Sequence, residues 1–290
     1  MKIDLHMHTT ASDGEYSPTE VVKMVKEKGI ELFAITDHDT TSGIDEALEE
    51  ANRQGLRLIP GIEFSAKDNE AKKVHILGYN LDYRNPDFIA IYKSYTDDRT
   101  RRNNEFIQKF NELGINITLE DVKKYAKNVN IRKPEFAKAL LEKGYIADEE
   151  EAYTKYLNQE PFKSIKREKG EMSPKEVIGT IKRFGGTAVL AHPYTLELEE
   201  ENLIRKIEEF ISYGLEGMEC FHSRQTKEQM VEYEKIANSY NLIITVGSDF
   251  HGPNVHPNIE IGTGKNNNIV DARIKNIEKM IKGVPLQHIT

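Results

Sequence analysis

A chain of 290 residues, 38% of them hydrophobic, can bury a large core, which excludes a wholly disordered chain. Its net charge of −8 offers no broad basic field to duplex nucleic acid or an anionic membrane, so small anionic substrates suit it better. Cys220 is the single cysteine, which rules out an internal disulfide and a cysteine-built zinc site; with no basic leader and no apolar window of about 18 residues, a cytoplasmic location is expected.

Strand-like apolar runs occupy residues 3–6, 32–36, 58–64, 74–81, 188–191, 217–221 and 242–246. Amphipathic stretches lie between them. Ser17-Pro18-Thr19-Glu20 and Ser173-Pro174-Lys175-Glu176 each combine a capping serine, a proline at the first helical position and a glutamate three residues after the cap. Gly29, Gly55 and Gly185-Gly186 supply helix stops. This βα alternation predicts parallel strands joined by crossover helices, a fold whose chemistry sits at the carboxyl ends of the strands.

Residues 85–163 break the rhythm. They are polar, nearly strand-free and carry helical periodicity at Phe106-Ile107-Phe110-Leu113 and Phe136-Ala137-Leu140-Leu141. A helical insertion capping the open rim is expected, with Arg132-Lys133-Pro134 facing inward; residues 1–84 and 164–290 then form the main domain.

Metal-ligand residues follow nearly every apolar run. His6, Asp37, His38, His192, Asp249 and His251 fall at run ends, and Glu63 and His75 within or near theirs. In a strand, residues two apart share a side, so His6 with His8, and Asp249 with His251, can address one ion. One such pair is weak; its repetition after successive strands reads as a metalloenzyme. Asp37 is expected to orient the His38 imidazole, while Asp4 either does likewise for His6 or pairs with a lysine. His256 and His288 are expected at the surface, the acidic run 197–201 as a charged helix start, and Tyr194 either lining the pocket or packing.

The segments Asp4-Leu5-His6-Met7-His8 through Ser12-Asp13-Gly14, Ile35-Thr36-Asp37-His38-Asp39, Gly61-Ile62-Glu63-Phe64, Leu190-Ala191-His192-Pro193 and Gly247-Ser248-Asp249-Phe250-His251 resemble the PHP (polymerase and histidinol phosphatase) superfamily. Residues 132–140 and 217–222 look like its stand-alone phosphoesterase branch, which includes nucleoside 3′,5′-bisphosphate phosphatases and 5′ RNA-trimming exonucleases. The resemblance implies an α/β fold, a distorted (β/α)7 barrel with a helical insertion, holding two or three divalent metals. It assigns His6, His8, Glu63 and Asp249 to a first metal, Glu63, His75 and His192 to a second, and Asp13, His38 and His251 to a third. Asp13, His38, Glu63, His192 and Asp249 form the implied catalytic set. Imidazole with carboxylate suits Mn, Fe or Zn, and the resemblance puts Mn first.

The expected reaction is hydrolysis of a phosphate monoester of a small nucleotide-like substrate, such as a nucleoside 3′,5′-bisphosphate, by a metal-bridging hydroxide. Ser12, Thr36 and Cys220 are then bystanders. Arg132, His222 and Arg224 are candidates for the substrate phosphate, because the guanidinium fork matches phosphate geometry, and Phe136, Tyr194 or Phe221 for stacking on a base. Histidinol-phosphate phosphatase, a 5′–3′ exonuclease on short RNA and a non-catalytic module are the alternatives. The chain reads Ile131-Arg132-Lys133-Pro134-Glu135 where relatives often read Gly-Arg-Pro-His, and an acid at 135 is expected to repel a second phosphate.

Overall fold

The computed structural model describes residues 2–126, 131–166 and 168–281. Two compact units form, Met1–Ile89 with Glu171–Thr290, and Ala90–Gly170. The sequence break expected at residues 85 and 163 thus lies several residues before each unit junction. His288 is outside the described residues.

The first unit is built on a seven-stranded sheet in chain order: β1 (Ile3–Asp4), β2 (Leu32–Ile35), β3 (Arg57–Ala66), β4 (Val74–Tyr79), β5 (Thr187–Leu190), β6 (Gly217–His222) and β7 (Ile243–Gly247). Every strand expected from the apolar runs is present. Six of them, β1, β2 and β4 to β7, are buried at every position, because helices cover one side and the barrel interior the other. The first and last strands meet through Leu5 N–H to Val246 O (3.0 Å), and past their ends through His8 N–H to Phe250 O (2.9 Å). The sheet is a nearly closed barrel.

One expectation is corrected. β4 runs antiparallel to both β3 and β5. Only residues 67–73 separate β3 from β4, and a parallel crossover needs about a dozen or more. The reversal matters for function: it brings the start of β4, where His75 stands, to the rim at which β3 and β5 end.

The outer helices follow their sequence signals. In α1 (Pro18–Glu27) and in α7 (Pro174–Arg183), the helix before β5, the capping serine and the glutamate three residues on exchange reciprocal hydrogen bonds at the first turn. Between β2 and β3, α2 (Ile44–Gln54) stops at Gly55 in the left-handed region. Val21, Val22 and Val25 of α1 pack with Ile44, Ala47 and Ala51 of α2 over Phe33, Ile35 and Leu58. Each large apolar side chain so buried contributes roughly 1.5–3 kcal/mol.

The second unit holds the long α3 (Pro86–Glu112) from Ala90 onward, with α4 (Leu119–Lys123), α5 (Lys133–Glu142) and α6 (Glu149–Ala152), and no strand among the described residues. Phe106, Phe110, Phe136, Leu140 and Phe162 make a core of its own. Phe136 is fully buried there, so it cannot stack on a nucleotide base, and Phe221 is buried as well. Glu135 is also accounted for: buried, it accepts the Arg132 backbone N–H at 2.8 Å and caps α5, so its charge serves the helix start.

Returning to the first unit, the acidic run 197–201 divides. Glu197 pairs with Lys72 at 2.8 Å, and α8 (Glu200–Tyr213) starts only after it. Among the described residues no helix is long and apolar enough to cross a membrane.

Candidate metal centre

All nine ligands expected from the sequence converge on one rim of the barrel, and Glu63 is at their centre. It is fully buried near the middle of β3 and its two oxygens face different partners. Oε1 lies 2.6 Å from His75 Nδ1 and 2.8 Å from His192 Nε2. Oε2 lies 3.3 Å from both His6 Nε2 and His8 Nε2, and 2.9 Å from His38 Nδ1. Asp249 Oδ1 is 3.5 Å from His6 Nε2 and 3.3 Å from His8 Nε2. Asp13 approaches His8, His38 and His251 at 3.7, 3.8 and 3.4 Å.

The longer of these spacings fit ions better than hydrogen bonds. His6 Nε2 and His8 Nε2 lie 3.1 Å apart, and two ligands about 2.1 Å from one cation are separated by roughly 3.0–3.4 Å. Glu63 Oε2, Asp13 Oδ2, His8 Nδ1 and His38 Nδ1 are buried without a hydrogen-bond partner. An unpartnered buried polar group costs about 1–3 kcal/mol, which a bound cation offsets. His6, His8, Glu63 and Asp249 form one set with ligand atoms within 4.8 Å of each other; His8, Asp13, His38 and His251 form another, and His38, Glu63 and His75 a third.

The surrounding hydrogen bonds set the tautomers. Glu219 on β6 takes His6 Nδ1–H at 3.0 Å and the His192 backbone N–H at 2.8 Å, leaving His6 Nε2 for the centre. Thr195 Oγ1 lies 3.0 Å from His192 Nδ1, and the Asp249 carbonyl 2.8 Å from His251 Nδ1, so Nε2 of each ring faces the ligands. Glu219 was not picked out as a site residue, although a carboxylate inside the apolar run Gly217-Met218-Glu219-Cys220-Phe221 signals a buried partner.

Asp37 and Asp4 have other duties than those expected. Asp37 accepts Thr9 N–H and Oγ1–H, both at 2.8 Å, and Ser12 Oγ–H at 2.6 Å, fastening the loop that carries Asp13. Asp4 accepts the Ser248 and Gly262 amides at 2.9 and 2.8 Å, tying β1 to the loop that carries Asp249. Two candidate ligands, His192 and Asp249, have φ of 25° and 57°, a region side chains rarely adopt.

Burial disfavours a charge on His6, yet the carboxylates of Glu219, Glu63 and Asp249 hold its imidazolium well above the usual histidine range. At His8, burial is likewise outweighed by Asp249 and Glu63, and the value rises to about 10. Burial prevails at His75 and His192, pushed down to about 4 and about 3. Burial works against ionised Glu63 and Asp249, but neighbouring imidazoles, led by His38 and His251 respectively, keep both carboxyls well below the usual range.

Among the substrate candidates, His222 closes β6 fully buried beside Asp249, with Nε2 3.3 Å from Oδ2. Its Nδ1 accepts the Arg224 N–H at 3.1 Å, which puts the proton of the neutral ring on Nε2. The exposed Arg224 side chain reaches half-buried Tyr194, whose ring centroid is 5.5 Å from that of His222. Arg132 is exposed at the start of α5 in the second unit. Ser12 and Thr36 hydroxyls are engaged by Asp37 and the Met7 carbonyl, and Cys220 is buried with its thiol pushed up by burial. His256 is not a surface residue: it is half-buried, its ring centroid 4.4 Å from that of His251.

A barrel with such a rim of imidazoles and carboxylates defines a metal-dependent hydrolase. The family model described as PHP domain matches residues 4–246, and the chain belongs to this family. It is 34% identical to a 5′-3′ exoribonuclease of Haemophilus influenzae, over 96% of this chain and 98% of that one. It is 31% identical to a 3′,5′-nucleoside bisphosphate phosphatase of Chromobacterium violaceum, over 87% of each. A solved amidohydrolase structure from Chromobacterium violaceum, with bound sulfate and no metal, superposes with a TM-score of 0.69 at 29% identity, covering 90% of both chains.

Proposed function

We propose that this chain is a metal-dependent phosphoesterase that hydrolyses a phosphate monoester of a small nucleotide-like substrate, such as a nucleoside 3′,5′-bisphosphate. Glu63 carries the proposal, because each oxygen of this one buried carboxylate faces a separate group of ligands. His6, His8, Glu63 and Asp249 would hold one divalent ion, Glu63, His75 and His192 a second, and Asp13, His38 and His251 a third, with Mn first and Fe or Zn as alternatives. Bound cations of this kind lower the pKa of water towards about 7 and draw charge from a phosphoryl oxygen.

The chain's own groups then have distinct tasks. Glu219 fixes the His6 ring and the His192 backbone, so two ligands of different ions share one orienting carboxylate. His222 Nε2–H and Arg224 would donate to phosphate oxygens, and Tyr194 offers an aromatic face beside them. Arg132 is a further phosphate candidate on its chemistry. No hydroxyl or thiol is free to serve as a nucleophile at Ser12, Thr36 or Cys220, which fits direct attack by water.

A second reading, a 5′–3′ exoribonuclease, is favoured by the likeness to the Haemophilus protein along nearly the whole chain. The metal-loaded protein should be given adenosine 3′,5′-bisphosphate, a short 5′-phosphorylated RNA and histidinol phosphate. Phosphate release fastest from the bisphosphate supports the proposal. Mononucleotide release from RNA with an inert bisphosphate selects the exonuclease, preference for histidinol phosphate selects that phosphatase, and no turnover of any phosphoester leaves a non-catalytic module.

A further inference from the structure

We propose that His256 is an additional cation ligand, joining Asp249 and His251 at the edge of the metal centre. This deepens the proposed function and rests on its metal-centre reading. The ligand-bearing atoms of Asp249, His251 and His256 lie within 4.8 Å of one another. None of the ligand sets drawn from the sequence includes His256.

The turn that delivers His256 is built, not loose. Gly252 adopts φ of +100°, and a side chain there would collide with Glu15. The His256 N–H donates to the Gly252 carbonyl at 2.8 Å, closing the turn. Glu15 clamps it from the other side: its own N–H donates to the His251 carbonyl at 2.7 Å, and its carboxylate takes the Asn254 backbone and side-chain N–H groups at 3.1 and 2.6 Å. The spacing between His251 and His256 is thereby set by backbone, which is what a ligand pair requires.

The imidazole is presented in the right form. Its Nδ1 lies 2.7 Å from the Val255 carbonyl, so in the neutral ring Nδ1 carries the proton and Nε2 the lone pair. His251 has the same arrangement, with Nδ1 2.8 Å from the Asp249 carbonyl. A ring in this tautomer has no Nε2 proton to give a phosphate oxygen, so it suits a divalent cation of borderline softness better than an anion.

The test compares wild type, His256→Ala, His256→Asn and Glu63→Ala by elemental analysis, chelator competition and the visible spectrum of the cobalt(II)-substituted proteins. Both His256 variants should weaken one ion by about tenfold or more and shift the cobalt ligand-field bands, while metal-free thermal unfolding stays near wild type. His256→Asn, which keeps a polar group in the turn, decides if the alanine variant fails to fold. Unchanged metal affinity and cobalt spectrum in the His256 variants, alongside metal loss in Glu63→Ala, would overturn the role of His256 and leave the metal centre standing. A wild-type protein that binds no divalent ion would overturn both.

Discussion

Replacing Glu63 by glutamine keeps the size of the side chain and removes its charge from between five imidazoles. Oε1 stands 2.6 and 2.8 Å from His75 and His192, and Oε2 3.3, 3.3 and 2.9 Å from His6, His8 and His38, so one substitution alters two ligand groups at once. The amide also leaves an NH2 donor aimed at nitrogens that must accept a cation. Two ions should therefore be lost together. Since metal stabilisation of a phosphoryl transition state amounts to several kcal/mol, and about 1.36 kcal/mol is a decade of rate, kcat/KM should fall by at least about a thousandfold. Breaking a buried charge pair should further cost the metal-free fold about 3–5 kcal/mol. Ions per chain, measured by elemental analysis with phosphate release, give the assay, and Asp13→Asn serves as a comparison that should empty a single site. Loss of one ion or none from Glu63→Gln would refute the bridging geometry.

Glu219→Gln weakens the acceptor that orients His6 and His192, so metal affinity should drop about ten- to a hundredfold in a chelator competition; an unchanged affinity would reduce Glu219 to a packing residue. Because the metal-free site holds His8 protonated up to about pH 10, cation binding at pH 7.5 must displace protons, and affinity should climb as pH rises towards that value. Calorimetry in buffers of different ionisation enthalpy reads this release, and buffer-independent heats would contradict it. Metal-free protein should also lose stability on acidification: His75 and His192 sit near 4 and 3 when folded against about 6.5 unfolded, so the loss begins as pH falls through 6.5 and is complete below about 3. Urea titrations across that range would show no such slope if those rings were protonated in the fold. Gly247→Ala would drive a methyl into the His6 side chain and the Glu219 carboxylate, costing about 1–3 kcal/mol and disturbing metal uptake; a variant with wild-type stability and metal content would show that β7 can move aside.

Much of the proposed centre was legible along the chain because its candidate ligands obey local rules. His6 with His8, and Asp249 with His251, are two apart, and His192 and Asp249 follow the last residues of β5 and β7, where a barrel presents chemistry. The capping boxes at Ser17 and Ser173 were equally readable, since their partners are three residues away. Glu219 was harder to see. Its role depends on His6, 213 residues distant, and only the charge within an apolar strand hinted at it. Asp37 was misread for a related reason: sequence proximity suggested His38, whereas its carboxylate is taken by Thr9 and Ser12, which strand register brings closer.

By itself the sequence determined which elements form and which residue types gather at their ends, because hydrophobic period, caps and turns act over a few neighbouring residues. Only the tertiary structure decided how those ends share partners. The reversal of β4 turns His75 towards Glu63, the near-closure of β1 on β7 brings Asp249 against His6 and His8, and the Glu15 clamp sets His256 beside His251. Each of these depends on hydrogen-bond register between segments far apart in the chain, where many pairings satisfy the same local pattern and the packed barrel selects one.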